Sequence, residues 1–180
     1  MISADREEDM RLLFASDSFK GSLTSRQTAE ILKKAATEVF GSVECISLPV
    51  ADGGEGTLDA LLHAIHAKKI YVDAYDPLMR PIRVPFADLG GNSAVIEMAQ
   101  VSGLPLVPVG ERNPLHTTSY GTGEVLRHAL DMGFRDITLA IGGSATNDGG
   151  MGFAAALGMR FLDDSGVVLV GKGENLEKVS

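Results

Sequence analysis

The first part of the chain alternates nearly continuous apolar runs with stretches in which apolar residues recur at helical spacing. The apolar runs predict buried strands at 11–16, 45–50 and 70–74. Thr24 to Gln27 has the spacing of a helix capping box, which predicts a helix through Phe40 that stops at Gly41. A second helix is predicted to begin at Thr57. The order β-α-β-α-β favours a parallel, doubly wound sheet of the α/β class.

The pattern changes at Asp76. The run from Asp76 to Pro85 contains three prolines, which predicts neither a central strand nor a helix and marks a candidate domain boundary. Beyond it, strands are predicted at 94–99, 137–141 and 159–162, and helices at 117–133 and 148–157. Residues 1–9 are polar and mostly acidic, and they are predicted to be a disordered leader.

Composition narrows the function classes. Hydrophobic residues make up 44% of the 180, which is enough for a packed core, and the net charge is −8. The chain lacks a basic run, so a nucleic-acid partner is not expected. It also lacks an apolar stretch of the roughly 20 residues that a membrane span needs. The lone Cys45 predicts a buried thiol in a reducing compartment, so a cytoplasmic location is expected.

Three turns combine glycines with carboxylates, and each lies between a strand-like run and a helix-like run. They are Asp17 to Ser22, Asp52 to Thr57 and Gly142 to Gly150. Loops outside the carboxyl ends of strands are where α/β proteins gather ligands. Glycine lets backbone N–H groups approach an anion closely, and the following helix N-terminus is positively polarised. The three turns therefore predict a phosphate site.

The carboxylates in these turns need a separate explanation, because each would repel a phosphate by roughly 4 kcal/mol at about 4 Å. Either they face away from the phosphate, or a divalent cation lies between the two, as in magnesium-nucleotide enzymes. A third interpretation is that the glycines and carboxylates serve only turn geometry and helix capping. Three such turns in one short chain favour the magnesium-nucleotide interpretation.

Standard nucleotide and metal motifs are mostly missing from the sequence. It contains neither a G-x-x-x-x-G-K-[ST] loop nor an H-E-x-x-H pair nor paired cysteines. Gly150 to Ala155 fits G-x-G-x-x-A, but it lies well past the end of its strand. A nicotinamide-dependent oxidoreductase therefore stays open as a weak alternative, beside a nucleotide- or metabolite-binding module without catalysis.

Single residues on the loops supply the candidate chemistry. Lys20 can balance phosphate charge, or it is a solvated lysine. Asp17, Asp52 and Asp148 can hold magnesium or accept a hydroxyl proton, or each can accept backbone N–H groups within its own turn. Glu97 is a candidate substrate or structural carboxylate.

Two further features lie between the second and third turns. The hydroxyl-rich stretch from Thr117 to Gly123 is a candidate oxyanion or carboxylate site, with helix capping as the alternative. Arg112 is interpreted as a loop charge.

Four blocks carry a specific resemblance, in order along the chain. They are Asp17-Ser18-Phe19-Lys20-Gly21-Ser22-Leu23-Thr24, Pro49 to Thr57, Asn113 to Gly123, and Gly142 to Gly152. From Met10 onward the chain resembles the bacterial type I glycerate kinases. The resemblance implies phosphorylation of D-glycerate by ATP and magnesium, in a cleft between a Rossmann-like domain and a second α/β domain inserted into it.

The resemblance also implies a domain plan. Residues 10–75 are expected to be the first part of a Rossmann-like, three-layer parallel domain, and 76–180 part of the inserted α/β domain. Members of the family are longer, so strands that complete the first domain are expected to be missing here. The isolated chain is therefore expected to be inactive and to leave an apolar sheet face uncovered. It is expected to be marginally folded or to self-associate, for example as a homodimer, through that incomplete sheet.

All of the expected site residues except Glu97 lie within the same blocks. The expected catalytic residues are Asp17, Lys20, Asp52 and Asp148, with magnesium at Asp52 and Asp148. The expected phosphate and glycerate contacts are Ser18, Gly53, Gly54, Glu55, Gly56, Glu97, Thr118, Ser119, Gly121, Gly143, Ser144, Thr146 and Asn147. The resemblance leaves open which glycerate hydroxyl is phosphorylated and which residue is the general base.

Overall fold

The computed structural model describes residues 10–19, 21–65 and 67–180, in which strands and helices form a mixed α/β fold. The strands are Arg11–Phe14 (β1), Glu44–Ser47 (β2), Lys68–Tyr75 (β3), Pro81–Gly90 (β4), Ser93–Glu97 (β5), Asp136–Ala140 (β6), Phe161–Leu162 (β7) and Val168–Leu169 (β8). The α-helices are Ser25–Phe40 (α1), Thr57–Ala64 (α2), Ala99–Ser102 (α3), Tyr120–Asp131 (α4) and Met151–Ala156 (α5). Short 3₁₀ turns lie at Leu104–Leu106, Val109–Glu111 and Gly173–Lys178. No helix within the described ranges is long and apolar enough to cross a membrane.

The predicted capping box at the start of α1 is confirmed. The Gln27 N–H donates to Thr24 Oγ1 at 3.1 Å, and the Thr24 N–H donates to Gln27 Oε1 at 2.9 Å. The helix ends at Phe40, and Gly41 closes it with a φ of 70°, which glycine adopts without strain. Local sequence signals therefore determine both ends of α1.

Strands β1 and β2 pair in parallel, from Arg11 opposite Glu44 to Phe14 opposite Ser47. Apolar side chains of both strands are open to solvent, with Leu13 61% and Ile46 46% exposed. The uncovered apolar face that the sequence predicted is thus present on this sheet. Self-association through it stays a prediction.

The third predicted strand belongs to a different sheet, so the prediction that it continues the parallel sheet is wrong. β3 pairs antiparallel with β4 over its whole length and joins a four-stranded sheet in the order β3-β4-β5-β6. Buried Val72 and Ala74 alternate along β3 with exposed Tyr71, Asp73 and Tyr75. Such alternation is typical of an antiparallel strand with one covered face, whereas central parallel strands are apolar throughout.

The second half of the proline-containing run belongs to a strand, contrary to the prediction that this run is neither a central strand nor a helix. β4 begins at Pro81, passes through Pro85 and lies between β3 and β5. Its pairing with β5 involves only Ala87 and later residues, so both prolines lie where β3 is its strand partner. Proline is tolerated at such positions because the side without a partner loses no ladder hydrogen bond. The division into domains at Asp76 stays a prediction.

One face of the four-stranded sheet is covered by α4, and the other is covered where β4 and β5 meet α2. One face packs Phe86 and Ile96 against Val125 of α4, and the Phe86 ring meets the Phe134 ring edge-on at 5.6 Å. The other face packs Ala87 and Val95 against Leu58 of α2. Helices α2 and α4 are thereby fixed on opposite faces, each following one of the candidate site loops.

Candidate functional site

The second and third glycine turns touch through their backbones. The Gly142 N–H donates to the Gly53 carbonyl at 2.8 Å. A Cβ added at Gly142 would lie 2.7 Å from both the Cα and the N of Gly54, closer than a side chain tolerates. Glycine at 142 is therefore required by close backbone approach rather than by an unusual φ. The two turns, far apart in sequence, form one continuous surface.

Glu97 at the end of β5 holds the second turn in place. Its carboxylate is fully buried and accepts the N–H groups of Gly56 at 3.1 Å and Leu58 at 2.7 Å. Gln100 Nε2 donates to the same carboxylate at 3.2 Å. These contacts satisfy two of the unpaired N–H groups at the start of α2. Of the two roles that the sequence left open for Glu97, the geometry favours the structural one.

We expect Glu97→Gln to lower the free energy of unfolding by about 1–3 kcal/mol, because an NH₂ group would replace one of the two acceptor oxygens. Burial raises the pKa of Glu97 above its ordinary 4.5, against the opposing effect of the backbone hydrogen bonds from Leu58 and Gly56. Because the pKa of Glu97 is higher in the folded state than in the unfolded state, protonation of Glu97 stabilises the fold. This stabilisation is complete below pH 4.5 and is lost as pH rises through the raised pKa. The difference in unfolding free energy between the wild type and Glu97→Gln should therefore become smaller as pH rises. Urea denaturation across this window measures it, and a widening gap would contradict the assignment.

Asp148 joins the starts of α4 and α5. It is 2% exposed, and its Oδ2 accepts the Ser119 N–H at 2.7 Å, the Ser119 hydroxyl at 2.8 Å and the Gly152 N–H at 3.2 Å. Its Oδ1 accepts the Gly150 N–H at 3.1 Å. A carboxylate has about four lone-pair sites, and protein donors occupy these. The geometry therefore favours helix capping for Asp148 over the metal role expected from the sequence.

The first and second turns face each other across a cleft of about 910 Å³. Asp17 and Ser18 line one side and Glu55 and Gly56 another, so four of the expected site residues meet here. A volume of this order lies within the range typical of small-molecule and cofactor sites. The cleft is the candidate ligand site of the described chain.

Three charged residues of this cleft were not predicted: Arg26, Asp59 and Lys69. Lys69 on β3 and Asp59 on α2 both line it, with Lys69 Nζ 2.7 Å from Asp59 Oδ1. The hydrogen bond that Lys69 donates to Asp59 raises the pKa of Lys69, so the ammonium is held in its charged form. In the sequence, Lys69 is recognisable only as the second of two adjacent lysines, Lys68 and Lys69, before an apolar strand. Such a pair is too common to single out Lys69.

Most of the other expected site residues lie in three places. Asp52, Gly53, Gly54 and Gly143 belong to the contact between the two turns, where Asp52 Oδ1 accepts the Gly54 N–H at 2.9 Å. Thr118, Ser119 and Gly121 are buried at the start of α4; a Cβ on Gly121 would lie 1.8 Å from the Tyr75 carbonyl oxygen, so this glycine serves packing. Ser144 and Thr146 line a second, smaller cavity, and Asn147 is exposed. Lys20 lies outside the described residues.

Metal-binding groups were also sought among the described residues. None of their His, Cys, Asp and Glu side chains form a group of three or more that could hold a metal ion. Magnesium at Asp52 and Asp148 stays a prediction, since the described residues form no cage of protein ligands around either of them. A cation in the cleft would have to share its ligands with a bound substrate.

Comparison with known proteins gives one family. The model of the Glycerate kinase family matches residues 12–180. The chain is 49% identical over 158 residues to a glycerate kinase of Bacillus subtilis (strain 168), covering 87% of this chain and 41% of that protein. It is 43% identical over 158 residues to a glycerate 2-kinase of Escherichia coli (strain K12), covering 87% of this chain and 42% of that protein. The chain thus spans less than half the length of these relatives.

A solved structure agrees with the sequence comparisons. A crystal structure assigned to a glycerate kinase 2 of Salmonella typhimurium LT2 superposes with a TM-score of 0.73 at 42% sequence identity. The match covers 95% of this chain and 46% of the other. The mixed α/β arrangement described above is therefore shared with that protein.

Proposed function

The chain belongs to the glycerate kinase family, and on that premise we propose that the protein it forms phosphorylates a hydroxyl of D-glycerate with ATP and magnesium. The observation that carries the proposal is the cleft, which places glycine turns and carboxylates around a volume of about 910 Å³. In the proposed reaction the glycerate hydroxyl oxygen attacks the γ-phosphorus of ATP. The bond from that phosphorus to the β-γ bridging oxygen breaks, and ADP leaves.

The cationic groups and the carboxylates of the cleft have different proposed roles. Lys69, held in its charged form by Asp59, would neutralise part of the nucleotide phosphates. The backbone N–H groups of the first two turns would supply further donors, as glycine-rich turns do in other phosphate sites. Lys20 of the first turn stays a proposed phosphate contact. Asp17 and Glu55 are the candidates that accept the proton released by the glycerate hydroxyl.

The carboxylates of the cleft also fit magnesium that arrives with the nucleotide. Protein sites of this kind hold magnesium through one or two carboxylates and the substrate phosphates, rather than through a cage of protein ligands. Asp17 and Glu55 line the cleft and carry the hard oxygen atoms that magnesium prefers. When bound, the ion would neutralise charge that develops on the transferred phosphoryl group.

The nicotinamide alternative has less support. A dinucleotide pyrophosphate would need the free N–H groups at the start of α5, where Gly150 to Ala155 lies. Two of these groups, those of Gly150 and Gly152, donate to the buried Asp148 carboxylate. Only a measurement of turnover distinguishes a binding module without catalysis from a kinase.

Turnover is best tested with a chimera in which this chain replaces the matching 158 residues of the Bacillus subtilis glycerate kinase. We expect ADP release that requires both glycerate and magnesium and that stops with EDTA. Asp17→Asn should lower kcat at least a hundredfold, whereas Asp164→Asn, at an exposed position outside the cleft, should leave it unchanged. A folded chimera that binds ATP but shows no glycerate-stimulated ADP release would reject the proposal in favour of a binding module.

A further inference from the structure

The turn that joins β3 to β4 is built around a buried carboxylate. Asp76 is 3% exposed, and its Oδ1 accepts the Leu78 N–H at 2.8 Å and the Arg80 N–H at 2.9 Å, while its Oδ2 accepts the Arg80 Nε–H at 2.6 Å. The Asp76 N–H donates to the Arg80 carbonyl at 2.8 Å. Inside the turn, Met79 has a φ of 63°, a left-handed conformation that a methionine keeps only where its surroundings impose it. The turn therefore fixes both the backbone and the guanidinium of Arg80.

Arg80 reaches from this turn to a wall of the cleft. Its Nη2 donates to the carbonyl of Leu106, the last residue of the 3₁₀ turn Leu104–Leu106, at 3.0 Å. We call this 3₁₀ turn the wall turn, because its last two residues line the cleft. The first residue of the wall turn donates its N–H to the Gly143 carbonyl at 3.0 Å. The wall turn is therefore held at its start by the third glycine turn and at its end by Arg80.

The two residues of the wall turn that line the cleft offer it an apolar surface without hydrogen-bond donors. Pro105 carries no N–H group, and the Leu106 N–H donates to the Gly103 carbonyl at 3.2 Å. Pro105 is exposed and Leu106 is half-buried, so both apolar side chains are open to a ligand in the cleft. A phosphate or a carboxylate needs donors, whereas an aromatic ring packs well on an apolar surface. Adenine is the one flat aromatic group of the two proposed substrates, so it is the group that suits the wall turn.

We propose that Arg80 is a positioning residue for the nucleotide, because it fixes the wall turn against which the adenine base packs. Arg80 does not itself line the cleft. That the bound nucleotide is ATP rests on the proposed function. Arginine suits this role because its planar fork serves two acceptors through different nitrogens, the Asp76 carboxylate and the Leu106 carbonyl. Without the second contact the wall turn is less restrained, and the cost of ordering it lowers the affinity for the base.

Nucleotide binding to the 180-residue chain tests this role without any catalytic step. Isothermal titration would compare ADP with inorganic triphosphate, which carries phosphates without the base, for the wild type and Arg80→Lys. Lysine keeps the charge beside Asp76 but cannot serve both acceptors. We expect Arg80→Lys to weaken ADP binding roughly tenfold and triphosphate binding less than about twofold. The matched control Glu111→Gln removes a carboxylate 3.7 Å from Arg80 Nη1 and leaves the Leu106 contact in place, so both affinities should stay within about twofold of the wild type.

Leu106→Ala gives a second test that leaves the turn between β3 and β4 intact. The substitution removes an apolar side chain of the wall turn but keeps the carbonyl that Arg80 binds. It should weaken ADP binding about fivefold and leave triphosphate binding unchanged. Because Arg80 acts through the wall turn, the combined variant should lose less ADP affinity than the two single losses added together.

Several results would overturn the proposal. They are an absence of ADP binding to the wild type, equal ADP binding by the wild type and either Arg80→Lys or Leu106→Ala, equal weakening of ADP and triphosphate, or an effect of Glu111→Gln as large as that of Arg80→Lys. In the chimera, Arg80→Lys should raise the KM for ATP roughly tenfold and leave the KM for glycerate unchanged; the reverse pattern would also overturn it. If Arg80→Lys selectively weakens ADP binding but the chimera transfers no phosphoryl group to glycerate, the proposed reaction fails while the role of Arg80 stands.

Discussion

Asp148→Asn is expected to lower the free energy of unfolding by about 3 kcal/mol or more. The asparagine amide keeps one acceptor oxygen but places an NH₂ group against groups that donate hydrogen bonds to Asp148 in the wild type. Among these groups are the N–H groups of Ser119 and Gly152. Each hydrogen bond to a charged group contributes about 1.5–3 kcal/mol, and a buried donor left without a partner costs about 1–3 kcal/mol. Because Asp148 is 2% exposed, water cannot replace the lost acceptor.

Urea denaturation of the chain measures this effect, with Asp164→Asn as the matched control. Asp164 is exposed and makes none of the hydrogen bonds found for Asp148, so its substitution should change the unfolding free energy by less than about 0.5 kcal/mol. If Asp148→Asn unfolds at the wild-type urea concentration while the chimera loses its turnover, the capping assignment is wrong. Asp148 would then have the metal or proton role expected from the sequence.

Gly142→Ala should separate the two glycine turns. The three heavy atoms nearest to the new methyl group would be backbone atoms of the second turn, the closest being 2.7 Å away at Gly54, so side-chain rotation cannot relieve this overlap. The hydrogen bond from the Gly142 N–H to the Gly53 carbonyl should break as the loops move apart. Because Gly56 and Glu55 of the same loop line the cleft, we expect ATP affinity and kcat of the chimera each to fall at least tenfold.

The matched control is Gly110→Ala, since a Cβ at Gly110 would meet nothing within 4 Å. That variant should retain the wild-type nucleotide affinity and unfolding free energy to within about 0.5 kcal/mol. Nucleotide titration and urea denaturation of both variants give the comparison. Equal behaviour of Gly142→Ala and Gly110→Ala would show that the contact between the turns does not matter for the site.

Local features of the fold could be predicted from the sequence, because their causes are local. The capping box at Thr24 and Gln27 determines the start of α1, and Gly41 determines its end. The sheet to which β3 belongs could not be predicted, since its partner is chosen by long-range pairing rather than by its own residues. The strand β4 was missed for the same reason. Whether a strand accommodates prolines depends on where its neighbour begins to pair, and here β5 pairs only from Ala87 onward.

In the candidate site, too, features with local causes could be predicted and features that depend on long-range contacts could not. Glycine-rich turns between strand and helix are a strong local signal, and the structure brings the first two to one cleft. The sequence did not reveal that Glu97 caps the helix after Gly56, because the two residues are 41 positions apart. Nor did it single out Lys69, since a lone charged residue carries no motif and its role depends on the cleft that it lines.

We propose that this chain supplies the cleft in which a phosphoryl group passes from ATP to glycerate. Phosphorus NMR of the chimera incubated with ATP, magnesium and D-glycerate tests it most directly. We predict a new phosphomonoester signal that couples to glycerate protons, grows in step with the ADP signals, and fails to form when Asp17 is replaced by Asn. ATP binding without any phosphoglycerate signal, or formation of inorganic phosphate alone, would contradict the account.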